Sequence, residues 1–338
     1  MARWKTTSLM ALLLALLLVL AACAADDDDA AADDDADDGD AAEATDEEWD
    51  VWALLPQGND QPYGTTYLPP MEETAEELGI NLTITNSEYD AETQLAECET
   101  AVAAAPDAII LWPAVGDTVR PCLESAQAAG IPVTVTNSDV NPDDKDLTIG
   151  YSGPDTYGQG AASAELMCEA MPEGGILMVN GLTGNSTAIN RREGFVDTIE
   201  EECPGVEILD EQPGDWGAAE SKTVTAEMLT AVGPENVDGI YAADDTMAAG
   251  AIDALEDRGI DPGDLVVTSI GNTFLGNPLV QEGKLYGTVF QSSSWDGENA
   301  VRLVYRVLIG EDVEPNTFMP QAKVTAENAD DPAVAPEW

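Results

Sequence analysis

The sequence predicts an α/β protein built of two lobes, each a parallel sheet flanked by helices. Three observations carry that expectation. First, short apolar runs recur near 50–56, 81–86, 108–112, 132–137, 147–151, 175–180, 206–210, 239–243, 265–270 and 286–291, with Ala-, Glu- and Leu-rich segments between them. Strands alternating with helices of that length build parallel sheets covered on both faces. Second, the body of the chain is about 290 residues, large for one such sheet, and no low-complexity linker divides it. Two lobes joined by several chain crossings fit that pattern better than two units on a tether. Third, Gly239-Ile240-Tyr241-Ala242-Ala243-Asp244-Asp245-Thr246-Met247-Ala248-Ala249-Gly250-Ala251 places a short strand, an acidic pair and a helix start in succession. Asp244 or Asp245 is positioned to cap the free N–H groups of the first turn. The carboxyl end of a strand facing a helix N-terminus is where open α/β sheets bind ligands.

Taken in order, the chain opens with Arg3 and Lys5, an apolar run from Leu9 to Leu20, and then Leu20-Ala21-Ala22-Cys23. A charged start, a short apolar stretch and small residues before a cleavage point make residues 1–22 an export signal. Leu-Ala-Ala-Cys resembles the bacterial lipobox, which implies cleavage before Cys23 and lipidation of its thiol; a plain signal with an incidental cysteine is the alternative. Acyl chains contribute about 0.8 kcal/mol per buried CH₂, enough for two or more to hold a protein on a membrane. The expected location is the outer face of the cell membrane.

Residues 23–49 are almost all Ala, Asp and Glu, and the stretch 24–50 holds fifteen acids and no Lys or Arg. Such a segment buries too little apolar surface to offset its ordering entropy and repels itself, so an extended, disordered linker is expected. The whole chain has a formal net charge of −54, and its body remains strongly acidic without the linker. That balance argues against nucleic acid and anionic headgroups as partners. It resembles the acidic surface of proteins from salt-loving organisms, where a Debye length of about 3 Å at 1 M salt mutes self-repulsion.

Five cysteines are present. With Cys23 lipidated, Cys98, Cys122, Cys168 and Cys203 remain in an oxidising setting. Bridges between the neighbours, Cys98 with Cys122 and Cys168 with Cys203, would each join adjacent helices of one lobe; free thiols packed in helix faces are the alternative. Zinc-ligand spacing is absent and the chain has no His. Helices are expected near 66–79, 90–105, 116–130, 156–171, 186–202, 217–231, 246–259 and 296–309. Gly158-Gln159-Gly160 falls at a helix start and reads as a packing device, not a phosphate loop.

Ala242-Ala243-Asp244-Asp245-Thr246-Met247-Ala248-Ala249-Gly250-Ala251 and Arg191-Arg192-Glu193-Gly194-Phe195 resemble the A-x-N-D-x-M-A-x-G-A and R-x-x-G-F motifs of the ribose-binding-protein family, the type I periplasmic binding proteins of sugar ABC importers. Ala75-Glu76-Glu77-Leu78-Gly79 and Ala129-Gly130-Ile131-Pro132-Val133 support the likeness, which covers roughly residues 50–325. The resemblance implies two Rossmann-like lobes joined by a three-strand hinge, with a ligand cleft between them. It places the N-terminal lobe at 50–152 plus 292–319, and the C-terminal lobe at 153–291 plus 320–338.

Carried over residue by residue, the resemblance implies a cleft lined by Asp60 and Tyr63 after the first strand, Trp112 at the third, and Asn137 after the fourth. From the second lobe it implies Asn190, Trp216 as a stacking platform, Asp244 in place of the family's Asn, Asn272, and Gln291 beside the last hinge. Ser138 and Ile189 stand where ribose-type members carry ligand arginines, and Arg191 is open to a structural or a ligand-contacting role. Acids and amides exchange hydrogen bonds with hydroxyls, while Trp and Tyr cover C–H faces. Loss of two arginines disfavours an anionic ligand and suits a neutral sugar or polyol. The expectation is therefore a monomeric binding lipoprotein that needs no cofactor or metal and feeds an ABC permease by lobe closure. A ligand-presenting sensor for a membrane receptor or kinase, or a binder of nucleosides or another small polar solute, is the rival. An enzyme is disfavoured, because the adjacent carboxylates Asp244 and Asp245 cannot face one another across a sugar and no nucleophile elbow is present.

Overall fold

The structure, a computed structural model, describes residues 48–338. The expected export signal, Cys23 and nearly all of the acidic linker lie outside the described residues. The chain builds its first lobe from β1 (Trp49–Leu55), α1 (Pro62–Glu77), β2 (Ile80–Asn86), α2 (Ala91–Ala104), β3 (Ala108–Leu111), α3 (Arg120–Ala129), β4 (Val133–Thr136) and β5 (Gly150–Gly153). It crosses at Pro154 into α4 (Thr156–Ala170), β6 (Glu173–Asn180), α5 (Ser186–Glu202), β7 (Gly205–Pro213) and α6 (Ala218–Val232). The second lobe continues through β8 (Gly239–Ala242), α7 (Asp245–Asp257), β9 (Val266–Thr268), α8 (Gly276–Gln281) and β10 (Gly287–Val289). The chain returns for α9 (Ser293–Leu308) and β11 (Asn316–Phe318), then crosses a third time to end on β12 (Lys323–Thr325) and a short turn.

Each lobe is one six-stranded sheet, ordered β11-β5-β4-β3-β1-β2 in the first and β12-β10-β9-β8-β6-β7 in the second. All pairings are parallel except that of β12, which runs antiparallel to β10, a departure from the all-parallel expectation. A returning edge strand needs no crossover helix, so it adds on antiparallel cheaply. Alternate residues of one strand enter opposite cores: Val51, Ala53 and Leu55 pack under α1 and α9, while Leu54 joins Cys98, Leu123 and Ala126 of α2 and α3.

Local chemistry sets the helix starts. α1 begins at Pro62, earlier than position 66, because Pro has no N–H to leave unmet in the first turn. Asp90, Asp155, Asn185 and Asp244 each cap a helix through a side-chain oxygen. α4 and α5 cross closely at glycines: a Cβ on Gly160 would lie 2.0 Å from the Arg191 carbonyl oxygen, and one on Gly194 would lie 2.1 Å from that of Tyr157. This contact sets Gln159 beside Arg191. Disulfides join Cys98 to Cys122, tying α2 to α3, and Cys168 to Cys203, tying α4 to the residue after α5.

Candidate functional site

The carboxyl ends of both sheets face a common cleft, which encloses a cavity of about 290 Å³. From the first lobe come Gln57 after β1, Gln61 and Tyr63 at the start of α1, Tyr89 after β2, Trp112 after β3, and Asn137 and Ser138 after β4. The second lobe supplies Asn185 and Thr187 at the start of α5, Arg191 within it, Asp215 and Trp216 after β7, and Asp244 and Thr246 around the α7 start. Gln291 reaches in from the second crossing, and Trp338 from the last segment.

Several wall residues hold backbone conformations that L-residues rarely adopt. Tyr89, Asn137, Asp215 and Trp216 have φ of 60°, 59°, 49° and 62°. Left-handed non-glycine residues persist only where surrounding structure over-determines them, and they cluster at ligand sites. Trp216 lies over Gly181, where a Cβ would come within 2.2 Å of the indole ring. The Arg191 guanidinium sits 5.9 Å from the same ring.

Polar groups on the wall fall into two sets. The bound set is fixed by protein partners. Arg191 is buried and donates to Gln159 Oε1 (3.1 and 2.8 Å), Gln291 Oε1 (2.5 Å) and the Ala243 carbonyl (2.7 Å), so it meets amides and a carbonyl instead of a carboxylate. Burial pulls its guanidinium below the usual value, with Tyr241 and Asp244 pulling the other way. Asp244 accepts from the Met247 N–H at 2.7 Å, and burial pushes its carboxyl up to about 7 against the opposing effect of that bond and of Arg191. In the first lobe, Asp296 of α9 accepts from Tyr63 Oη (2.7 Å), Asn137 Nδ2 (2.7 Å) and Thr136 Oγ1 (3.3 Å), and burial pushes it, too, up to about 7.

The second set has no protein partner: the indole N–H groups of Trp112 and Trp216 and the amide oxygens of Gln57 and Gln61 are buried and unbonded. A buried polar atom left unmet costs about 1–3 kcal/mol, so unpaired donors and acceptors on residues of one cavity wall suit a ligand that both accepts and donates once those side chains turn to it.

Across the cleft the lobes touch. Ser138 Oγ lies 2.8 Å from Thr187 Oγ1, Asn185 Nδ2 donates to the Ala114 carbonyl (3.1 Å), and Ser186 Oγ donates to the Asp139 carbonyl (2.6 Å). The serine standing in for a family arginine is thus part of the contact between lobes.

Of the residues expected in the cleft, Tyr63, Trp112, Asn137, Trp216, Asp244 and Gln291 line the cavity, and three do not. Asp60 is exposed in the loop before α1. Asn190 donates to Thr156 Oγ1 (3.1 Å) and ties α5 to α4, because one residue of helix rotation turns its side chain off the wall that Arg191 faces. Asn272 is fully buried and donates to the Val334 carbonyl while its own oxygen accepts from Asn277 (3.0 Å), so it anchors the last segment. The neighbouring Asp245 is also consumed internally, by Ser269, Thr288 and the Thr273 N–H. Sequence reasoning missed Gln57, Tyr89, Asn185, Thr187, Asp296 and Trp338. A polar residue between a strand end and a helix start was the available signal for Gln57 and Asn185; Asp296 and Trp338 had none.

Two sheets crossed three times by one chain, with a polar and aromatic cavity at their facing carboxyl ends, define a bilobal binding protein. The chain belongs to the periplasmic binding protein domain family, matching it over residues 52–312. It is 26% identical to the xylitol-binding protein of Mycolicibacterium smegmatis, over 77% of this chain and 73% of that one. Identity is also 26% to the ribose import binding protein of Salmonella typhimurium, over 78% of this chain and 87% of that one. Among solved structures, an ABC transporter solute binding protein from Bacillus halodurans with bound myo-inositol is similar, with a TM-score of 0.77 and 27% identity over 84% of this chain and 97% of that one.

Proposed function

We propose that the protein is an extracytoplasmic binding lipoprotein that captures a neutral sugar or polyol by lobe closure and delivers it to an ABC permease. The carrying observation is the cavity lined at once by the aromatic side chains of Trp112, Trp216 and Tyr63 and by the polar side chains of Gln57, Asn137, Asp244 and Gln291. Hydroxyls both donate and accept, so a polyhydroxylated ring satisfies these groups at once, and its C–H faces stack on the aromatics. Xylitol, ribose and myo-inositol, named for the relatives and the similar structure, are all of that class. Arg191 already donates to Gln159, Gln291 and the Ala243 carbonyl, which leaves it a poor anchor for an anion. Closure needs differential affinity, since moving a two-state equilibrium from 1:99 to 99:1 takes about 5.5 kcal/mol. Ligand hydrogen bonds and the Ser138, Asn185 and Ser186 contacts share that task. The protein works as a monomer and a binder, not an enzyme. A lipid anchor at Cys23 and the acidic linker would keep it near its permease at high effective concentration.

A thermal-shift screen in molar salt tests this against monosaccharides, polyols, nucleosides and amino acids. Ligand at 100 times its dissociation constant should add about 2.7 kcal/mol of stability. Trp216→Ala should weaken the best sugar or polyol by ~30-fold, the effect of losing about 2 kcal/mol at a central aromatic. A nucleoside or amino-acid hit with no response to sugars or polyols would sink the assignment.

A further inference from the structure

Segment 329–338 runs from the second lobe to the cleft through a series of specific contacts. Asn277 Nδ2 donates to the Ala329 carbonyl (3.0 Å), Gln281 Nε2 to Asp330 Oδ1 (2.9 Å), and Asn272 Nδ2 to the Val334 carbonyl. Ala329 and Val334 are buried in the core of that lobe. The segment then reaches the start of α9 in the first lobe. There the Glu337 carboxylate accepts from Ser292 Oγ (2.9 and 3.0 Å), the Ser294 N–H (3.0 Å) and Ser294 Oγ (2.8 Å). A carboxylate at the free N–H groups of a helix start is favoured by the helix dipole as well as by its hydrogen bonds.

Trp338 follows. Its carbonyl accepts from the Phe274 N–H of the second lobe (2.5 Å), and its Nε1 donates to the carbonyl of Gln291 on the crossing (3.2 Å). Its ring stands edge-on to Tyr63, 4.9 Å between centroids at 78°, packs against the apolar cluster of the first lobe, and borders the cavity. One short segment therefore touches both lobes, the crossing between them, and the space the ligand would occupy.

We propose that residues 329–338 form a strap beside the hinge that ends in a ligand-selecting wall, with Glu337 clamping the strap to α9 and Trp338 limiting the size of the sugar or polyol admitted. The inference rests on the reading of the cleft as a sugar or polyol site. The Trp338 ring is tied to the Gln291 carbonyl and to Tyr63, so it cannot withdraw for a bulkier ligand without breaking contacts with the crossing and the first lobe. Its removal opens the cavity on that side and takes away the edge-on contact with the Tyr63 ring, which Asp296 still holds.

Binding isotherms in molar salt for the wild-type protein, Trp338→Ala, Trp338→Phe and Glu337→Gln, against neutral sugars and polyols graded from four carbons to a disaccharide, test it. Trp338→Ala should weaken the best small ligand ~10-fold or more while bulkier ligands hold or gain affinity, whereas Trp338→Phe should cost ~3-fold or less, since an aromatic face is kept. Glu337→Gln should fall between them. Unchanged affinities and ranking in Trp338→Ala, with Trp216→Ala losing binding, would overturn the strap and leave the sugar reading standing. If the wild-type protein binds no sugar or polyol, that reading fails and the strap is judged without ligand. Hydrogen exchange at the Phe274 and Ser294 amides should then rise ~10-fold or more in Trp338→Ala and Glu337→Gln if the strap holds both lobes. Exchange equal to wild type overturns it.

Discussion

Strand for strand, β2-β1-β3-β4-β5-β11 of the first lobe repeats as β7-β6-β8-β9-β10-β12 of the second. The walls the two lobes offer the cleft differ. In the first, the wall is aromatic and uncharged: Tyr63, Trp112, Asn137 and Ser138 face the cavity, and the acid, Asp296, stands behind them holding Tyr63 and Asn137 in place. In the second, Arg191, Asp215 and Asp244 stand on the wall itself beside Trp216, and Trp338 joins from the last segment. One topology thus carries two chemistries, because loops at strand ends can change without disturbing the sheet that positions them.

The largest expected effect falls on the charged side. Arg191→Met strips donors from Gln159, Gln291 and the Ala243 carbonyl together, and each buried acceptor left unmet costs about 1–3 kcal/mol. Urea unfolding should show a loss of about 3 kcal/mol or more, with ligand binding abolished. A stable, binding-competent variant would mean that the second lobe does not depend on its buried cation.

The next concerns two buried acids, Asp296 behind the first wall and Asp244 on the second. Asp244 and Asp296 are both raised from the ordinary aspartate value of 3.8 to about 7. A carboxyl whose folded value lies above its unfolded one keeps a proton that the unfolded chain gives up. Stability therefore falls as pH rises from about 4 to about 7, by up to about 1.4 kcal/mol per pH unit for each group, and is flat above. Urea midpoints from pH 4 to 8, measured in molar salt to mute surface repulsion, should follow that slope. Asp296→Asn and Asp244→Asn should each flatten it. A profile for Asp296→Asn that overlays wild type would remove the acid from behind the aromatic wall as a titrating group.

The smallest effect sits where the walls meet. Ser138→Ala with Thr187→Val deletes both partners of the cross-cleft hydroxyl pair, and Asn185 Nδ2 loses its long bond to Ser138 Oγ (3.4 Å) but keeps the Ala114 carbonyl (3.1 Å). A hydrogen bond contributes about 0.5–1.5 kcal/mol net, so ligand affinity should drop ~3- to 10-fold with little change in ligand ranking. Isothermal titration that finds no loss would show that closure does not draw on this pair.

The alternation of strands and helices, the two lobes and the Asp244 cap were legible in local periodicity or in a few adjacent residues, and a parallel sheet sends every strand end to the same edge. Tyr63, Trp112, Asn137, Trp216 and Gln291 were singled out by the resemblance to the ribose-binding-protein family, residue by residue. The motif around Arg191 was legible too, though not that its side chain serves both the cavity wall and the buried amide network. Three-residue strands such as β11 and β12 were not, since so short a stretch has no period to read. Asn190 and Asn272 show the opposite failure: the right residue types near the right strand ends, turned to other partners by one step of helix rotation or by a distant segment. What only the tertiary structure decided is which remote groups meet. Tyr63 and Asp296 are 233 positions apart, and Trp338 comes to Tyr63 from the far end of the described chain. Periodicity reports what a residue does within its own element; the partner it finds depends on how whole lobes pack, and no local pattern encodes that distance.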